Sequence, residues 1–175
     1  MTRGGWIVLG AAAAAGLGAA VWLARPQEPQ SEEQRILALF DGAARAAEER
    51  NTDEVIEILS ERFVGDGGEL AGKGSRDEVK RLIAFELLRG KWVSVQIIDA
   101  KVVVRESLAR AAVDAVLSRA PDPGKRLSDL LPGEYSLNRF DLELEREGDE
   151  WRVVSGTWRH IGLEQALSGP ELPDW

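Results

Sequence analysis

Apolar residues recur with a helical period in the first half of the chain and with a strand period in the second half. Three segments begin with a capping residue that is followed three positions later by Glu or Gln, the signature of a helix start: Ser31, Asn51 and Ser75. After the first cap, apolar residues keep helical spacing at Ile36, Leu37, Phe40, Ala43, Ala44 and Ala47. The pattern predicts three helices, with a glycine-rich hairpin at 63–74 before the third helix, which ends near Gly90.

From residue 91 onward the pattern becomes that of β-strands. Four segments are rich in β-forming residues or alternate between apolar and polar side chains: 92–104, 108–117, 135–147 and 151–161. In the third of these, Phe140, Leu142 and Leu144 alternate with charged residues, as in a strand with one wet face. Helices that precede consecutive antiparallel strands predict an α+β fold.

Residues 4–24 show neither period, because no side chain in this stretch is charged or strongly polar. As a helix the stretch would span roughly 31 Å, about the thickness of the hydrocarbon core of a bilayer. Trp6 and Trp22 lie near its ends, where indoles favour the membrane interface. A cleaved signal peptide is an alternative, with Gly18-Ala19-Ala20 as its cleavage site. A buried core helix is a poorer alternative, because the stretch is too uniformly apolar.

This pattern divides the chain into a transmembrane anchor or signal peptide at 1–25, a Pro-containing linker at 26–30, a domain at 31–168 and a tail at 169–175. The slight excess of positive charge before the apolar stretch favours a cytoplasmic N-terminus. We therefore expect a single-pass protein of the inner (plasma) membrane, with its C-terminal domain in the periplasm or an equivalent extracytoplasmic space.

Composition narrows the chemistry of the domain. The formal net charge of −8 disfavours nucleic acid as a partner, because an acidic surface repels phosphates. The absence of cysteine removes disulfides, thiolate nucleophiles and thiolate metal sites, and a single histidine is too few for the usual zinc sites. We therefore expect no metal and no cofactor.

The order of these elements resembles the nuclear transport factor 2-like superfamily, also called SnoaL-like or cystatin-like. The resemblance covers residues 34–161 and rests on four segments and one tryptophan: Ile36–Phe40, 59–64, 74–76, 142–153 and Trp158. It implies a cone-shaped domain in which three helices pack on a curled, mainly antiparallel sheet of four to six strands. This fold hosts isomerases, dehydratases, polyketide cyclases, binding modules and secretion components, so it does not fix the function.

Enzymes of this superfamily generally place an Asp, or an Asp–His pair, deep in the cone as a general base. By that resemblance the catalytic candidates are Asp114, on a mid-strand position, and His160, at the end of the last strand. The competing interpretation places Asp114 on the outer face of the sheet, facing solvent beside Arg110, and His160 at the rim of the cone. Strand alternation favours this second interpretation.

A ligand pocket would draw on aromatic side chains, and the candidates are Phe63, Trp92, Tyr135 and Trp158. Such residues more often fill the core of a small domain. Asn138 and Arg139 could add polar contacts, although the alternation of Arg139 with acidic residues is typical of a solvated face. Trp151 follows a turn and should bury its ring near Phe40 and Leu144.

With so few groups suited to catalysis, the sequence favours a non-enzymatic binding module. Its ligand would be a small apolar molecule in the cone or a protein partner on the exposed sheet face, through which the domain could also form a homodimer. The alternatives are an acid–base enzyme of the SnoaL or ketosteroid-isomerase type, which would use Asp114 and His160, and a structural component of an envelope or secretion assembly.

Overall fold

A computed structural model describes residues 31–67, 74–88, 94–118 and 135–172 of the chain. The predicted membrane segment at 4–24 and Trp92 lie outside these residues. No helix within the four described ranges is long and apolar enough to cross a membrane. The helices are α1 (Glu32–Glu48), α2 (Thr52–Glu57), α3 (Arg76–Leu88) and α4 (Leu163–Ser168), and the strands are β1 (Leu59–Gly67), β2 (Gly74–Ser75), β3 (Ser94–Arg105), β4 (Leu108–Ser118), β5 (Tyr135–Glu147) and β6 (Glu150–His160).

The three predicted helix starts are confirmed by their caps. Ser31 forms a capping box with Gln34, in which each side chain bonds the backbone N–H of the other residue. The side chain of Asn51 accepts a hydrogen bond from the backbone N–H of Glu54. At the third start, the Ser75 hydroxyl accepts from the backbone N–H of Glu78, and the Glu78 carboxylate accepts from that of Ser75. These bonds satisfy backbone donors that the first turn of a helix leaves without partners.

Two elements differ from the prediction. Residues 59–63, expected at the end of the second helix, open strand β1, whose Val64 and Gly65 pair with the two residues of β2. Helix α4 was not predicted, and residues 169–172, expected in a tail, fold with the domain so that Pro170 is fully buried.

The strands form one six-stranded sheet in the order β2-β1-β6-β5-β4-β3. Every neighbouring pair is antiparallel except β1 and β6, which are parallel. Bulges interrupt the register at Ile98 in β3 and at Val154 in β6, and bulges of this kind increase the bend and twist of a sheet. The predicted α+β fold with a mainly antiparallel sheet is confirmed.

One face of the sheet, the inner face, packs against α1, α2 and α3. Its core joins apolar residues from both layers: Ile36, Phe40, Ile56, Phe63, Val79, Ala109, Ala111, Val113, Leu144, Trp151 and Val153. Trp151 is 4% exposed in this core, together with Phe40 and Leu144 as predicted. Its indole Nε1 donates a hydrogen bond to Glu32 Oε2 at 2.6 Å, which ties β6 to the first turn of α1.

The opposite, outer face of the sheet carries a second and smaller core. Val116 and Leu137 are cross-strand partners there, and they pack with Ile161, Ala166 and Tyr135. Residues 161–172, which we call the C-terminal segment, therefore cover one end of the outer face. The inner core and this segment bury the β4–β5 pair from both sides at Val116, Leu137 and Arg139, within the nearly continuous burial of residues 109–116.

Candidate functional site

Asp114 is the most deeply buried ionisable residue among those described, with 0% exposure. It lies on β4 opposite Arg139 of β5, on the outer face. Arg139 binds it in a bidentate manner: Nε donates to Oδ1 and Nη2 donates to Oδ2, both at 2.7 Å. Both carboxylate oxygens are thus engaged by a permanent cation.

Arg139 also holds the C-terminal segment in place. Its Nη2 donates to the backbone carbonyl of Gln165 at 3.1 Å and to that of Gly169 at 3.0 Å. The hydrogen bond to Asp114 raises the pKa of Arg139 above its already high ordinary value, so this guanidinium stays charged. The predictions that Asp114 faces solvent and that Arg139 belongs to a solvated face are wrong, because both side chains are buried. The C-terminal segment contacts the guanidinium of Arg139, which in turn binds Asp114.

His160 lies on the other face of the sheet from Asp114. It pairs across the strands with Asn138, which alternates with Arg139 and therefore points to the inner side. Its ring is exposed, and Nδ1 lies 3.0 Å from Ser136 Oγ. Asn138 also donates to the carbonyl and hydroxyl oxygens of Ser136, at 3.3 and 3.1 Å. The structure does not bring Asp114 and His160 together as an acid–base pair.

The four aromatic candidates do not form one cluster in the described residues. Phe63 and Trp158 lie together on the inner face, where they pack in or against the main core. A Cβ placed on Gly65 would lie 2.8 Å from the Phe63 ring and 3.0 Å from that of Trp158, so the two rings cover this glycine closely. Tyr135 packs on the outer face with Val116 and Leu137, and Trp92 lies outside the described residues.

A cavity of about 850 Å³ lies on the outer face, beside the C-terminal segment. We call it the outer groove. Strands β1, β6 and β5 and the end of the C-terminal segment contribute its lining: Val64, Gly65, Asp66, Arg139, Asp141, Leu142, Glu143, Ser155, Gly156, Thr157, Arg159, Glu171 and Leu172. Strand alternation gives this arrangement, because Asp141, Glu143, Ser155 and Thr157 all point away from the helices.

The outer groove contains four carboxylates and two guanidinium groups. Arg139 is neutralised by the buried Asp114, and Arg159 pairs with Asp141. Glu143 accepts from Arg110 at 3.1 Å and from Ser155 Oγ at 2.9 Å. Within the described part of the chain, Asp66 and Glu171 form no ion pair within 4.0 Å. The negative charge of Glu171 nevertheless acts on Arg139 and contributes to its raised pKa.

A second cavity of about 370 Å³ opens between α1 and α2, where Leu39, Ile58 and Trp151 line it together with charged residues such as Arg35 and Glu57. None of the described residues that line either cavity is one of the four aromatic candidates. Across the described ranges, no group of three or more His, Cys, Asp or Glu side chains is arranged to hold a metal ion.

Sequence reasoning missed the outer groove. The outward positions Asp141, Glu143, Ser155 and Thr157 were visible as alternation in the last two strands. The wall formed by Glu171 and Leu172 was not visible, because nothing in the local pattern shows that residues 161–172 turn back onto the sheet.

No protein-family model matches this sequence, and no curated protein matches it. Solved structures do match its fold. A nuclear transport factor 2-like protein with a cystatin-like fold from Novosphingobium aromaticivorans is 16% identical, with a TM-score of 0.59 over 77% of this chain and 85% of that protein. A candidate aromatic ring hydroxylase from the same organism is 14% identical, with a TM-score of 0.57 over 78% of this chain and 93% of that one.

A candidate calcium/calmodulin-dependent protein kinase II association domain from Xanthomonas campestris is similar as well, with 15% identity and a TM-score of 0.60 over 79% of this chain and 94% of that chain. These likenesses define the class of the domain: it has the nuclear transport factor 2-like, cystatin-like fold. At such low identities they show the fold alone.

Proposed function

We propose that this protein is a binding module that docks a protein partner in the outer groove, and that residues 4–24 anchor it to a membrane with the domain outside the cytoplasm. The observation that carries the proposal is the buried pair of Asp114 and Arg139. Asp114, which would have to act as the general base, is instead bound in an ion pair with Arg139. Arg139 also holds the C-terminal segment against the outer face.

Catalysis by Asp114 would need a free carboxylate next to bound substrate. Both of its oxygens accept hydrogen bonds from Arg139, and its side chain is closed to solvent. His160 could not relay a proton to it, because the two side chains lie on opposite faces of the sheet. These features weigh against the acid–base enzyme as the function of the described residues.

The choice of a protein partner over a small apolar ligand rests on the cavities. Ligand sites are usually concave and mostly apolar. The inner-face aromatics Phe63 and Trp158 are packed with core residues, and they line neither described cavity. The outer groove is the larger of those two cavities, and its lining mixes charged and hydroxyl side chains with Val64, Leu142 and Leu172. Such a mixed surface suits a polypeptide segment better than a wholly apolar molecule.

Site-specific photocrosslinking in the cells that express the protein tests this proposal. A photoreactive benzoylphenylalanine at Thr157, in the outer groove, should give a discrete protein adduct. The same group at Glu49, an exposed position at the end of α1, should not. Filling the groove with Ser155→Trp should abolish the Thr157 adduct.

A third position separates the outer groove from the inner side of the cone. Adducts obtained only from position 160, where the native His160 side chain lies on the inner side at the end of β6, would contradict docking at the outer groove. They would indicate that the partner binds inside the cone.

A further inference from the structure

The negative charge of the outer groove is only partly balanced by its own cations. We infer that the partner segment held there is a basic, extended stretch of polypeptide whose Lys or Arg side chains meet Asp66 and Glu171. This inference rests on the proposed function, since it names the chemistry of the partner for the same site.

Both guanidinium groups of the groove are already paired with carboxylates, which reduces their attraction for an acidic partner. Arg139 is 8% exposed, and its Nε and Nη2 groups donate to Asp114 and to two backbone carbonyls. Arg159 is more exposed, but its Nη1 binds Asp141. Charge complementarity therefore selects a cationic partner.

The two carboxylates without an ion pair stand on opposite sides of the groove. Asp66 projects from β1, at the outer edge of the lining, while Glu171 belongs to the C-terminal segment, which forms the other wall. Between them lie the short side chains of Ser155 and Thr157 on β6. A partner segment that crosses the strands could thus place one cationic side chain beside Asp66 and another beside Glu171. Its backbone would lie over the hydroxyl groups of Ser155 and Thr157.

The charge of the whole chain acts in the same direction. A net charge of −8 favours the approach of cationic partners and raises their association rate at low salt. The preference for a basic partner should therefore weaken at high ionic strength, where the screening length falls toward about 3 Å.

Fluorescence anisotropy with the full-length chain and three labelled decapeptides tests the inference. The peptides alternate Thr with Lys, with Gln or with Glu. The Lys peptide should bind, the other two should not, and 0.5 M NaCl should weaken its binding. The double variant Asp66→Asn/Glu171→Gln should weaken binding of the Lys peptide by about tenfold, because it removes two exposed ion pairs.

Two control variants locate the effect. Glu49→Gln/Glu106→Gln makes the same change in net charge at exposed positions outside the groove, and it should leave the affinity unchanged within twofold. Thr157→Trp obstructs the groove without touching the inner core, and it should abolish binding. Circular dichroism of each variant verifies that it is folded.

The remaining outcomes separate this inference from the proposed function. Equal loss of affinity in both charge variants, or no loss in either, would overturn a role for Asp66 and Glu171. Binding of the Gln or Glu peptide that Thr157→Trp abolishes would overturn the basic partner while leaving the groove as a docking site. No binding of any peptide, together with no photocrosslink from Thr157, would overturn both.

Discussion

The guanidinium of Arg139 binds both carboxylate oxygens of Asp114 at 2.7 Å and also reaches two backbone carbonyls of the C-terminal segment. Two middle strands of the sheet and the end of the domain therefore meet at one buried ion pair. This arrangement gives Asp114 a structural role, and it holds in place the segment that forms one wall of the outer groove.

Removing one partner of this pair should strongly destabilise the domain. Arg139→Met would leave a buried carboxylate without a counter-charge and two carbonyls without a donor, and a loss of about 3–5 kcal/mol in the free energy of unfolding is expected. Urea denaturation measures it. Arg159→Met removes an arginine from an exposed ion pair and should cost less than ~1 kcal/mol. Similar losses in the two variants would contradict the structural role of Arg139.

The double variant Asp114→Leu/Arg139→Met should recover part of that stability. It removes the isolated buried charge, although the carbonyls of Gln165 and Gly169 still lose their donor. A double variant less stable than Arg139→Met alone would show that the pair acts through something other than charge burial.

The inner face should tolerate no side chain at Gly65. Gly65→Ala would place its Cβ 2.8 Å from the Phe63 ring, and overpacking of this kind typically costs about 1–3 kcal/mol. Gly42→Ala is the matched control, because a Cβ at that position in α1 meets nothing within 4 Å and alanine is a better helix former than glycine. We expect a lower melting temperature for the first variant and an equal or higher one for the second.

If Gly65→Ala left the melting temperature unchanged, Phe63 and Trp158 would have room to move. The inner face would then again be a candidate site for ligand binding.

Glu32 and Trp151 should contribute a pH-dependent part of the stability. The hydrogen bond from the indole lowers the pKa of Glu32 below its ordinary value, and Arg35 and Arg146 add to the effect. Since the folded-state pKa is depressed, this stabilisation is complete above the pKa of the unfolded chain and is lost as the pH falls through the folded-state pKa.

NMR titration of Glu32 tests this sign. In Trp151→Phe, which keeps an aromatic ring in the core, the pKa of Glu32 should rise toward its ordinary value. An unchanged titration would show that the arginines, and not the indole, set the pKa of this carboxylate.

Much of the fold could be predicted because it depends on local signals. Ser31, Asn51 and Ser75 mark helix starts through hydrogen bonds within one turn, and alternation in β4 and β5 gave the correct faces for Asp114 and Leu144. The burial of Trp151 also followed from its place after the last turn.

The site could not be predicted, because it depends on contacts between residues far apart in the sequence. Alternation placed Asp114 and Arg139 on the outer face, but both are buried, and Arg139 is bound by residues 161–172, which carry no sequence signal for packing there. The same distant contact creates the outer groove. The aromatic candidates were chosen by residue type, and type alone does not distinguish Phe63, in the main core, from Tyr135 on the opposite face.

The location of the domain is a separate prediction. Alkaline phosphatase fused after Trp175 should be active, because the apolar stretch at 4–24 would export it. The same fusion without residues 2–30 should be inactive and should remain in the soluble cytoplasmic fraction. Activity that does not depend on residues 2–30, or no activity in either fusion, would contradict both the anchor and the signal peptide.

An NMR titration of the full-length protein with the Lys–Thr decapeptide shows whether the binding site is the outer groove or the cone interior. We expect the backbone amide shifts to cluster at Asp66, Thr157 and Glu171 and to saturate with a single affinity. Shifts that cluster instead around Phe63, Trp158 and His160 would contradict it and would place the site inside the cone.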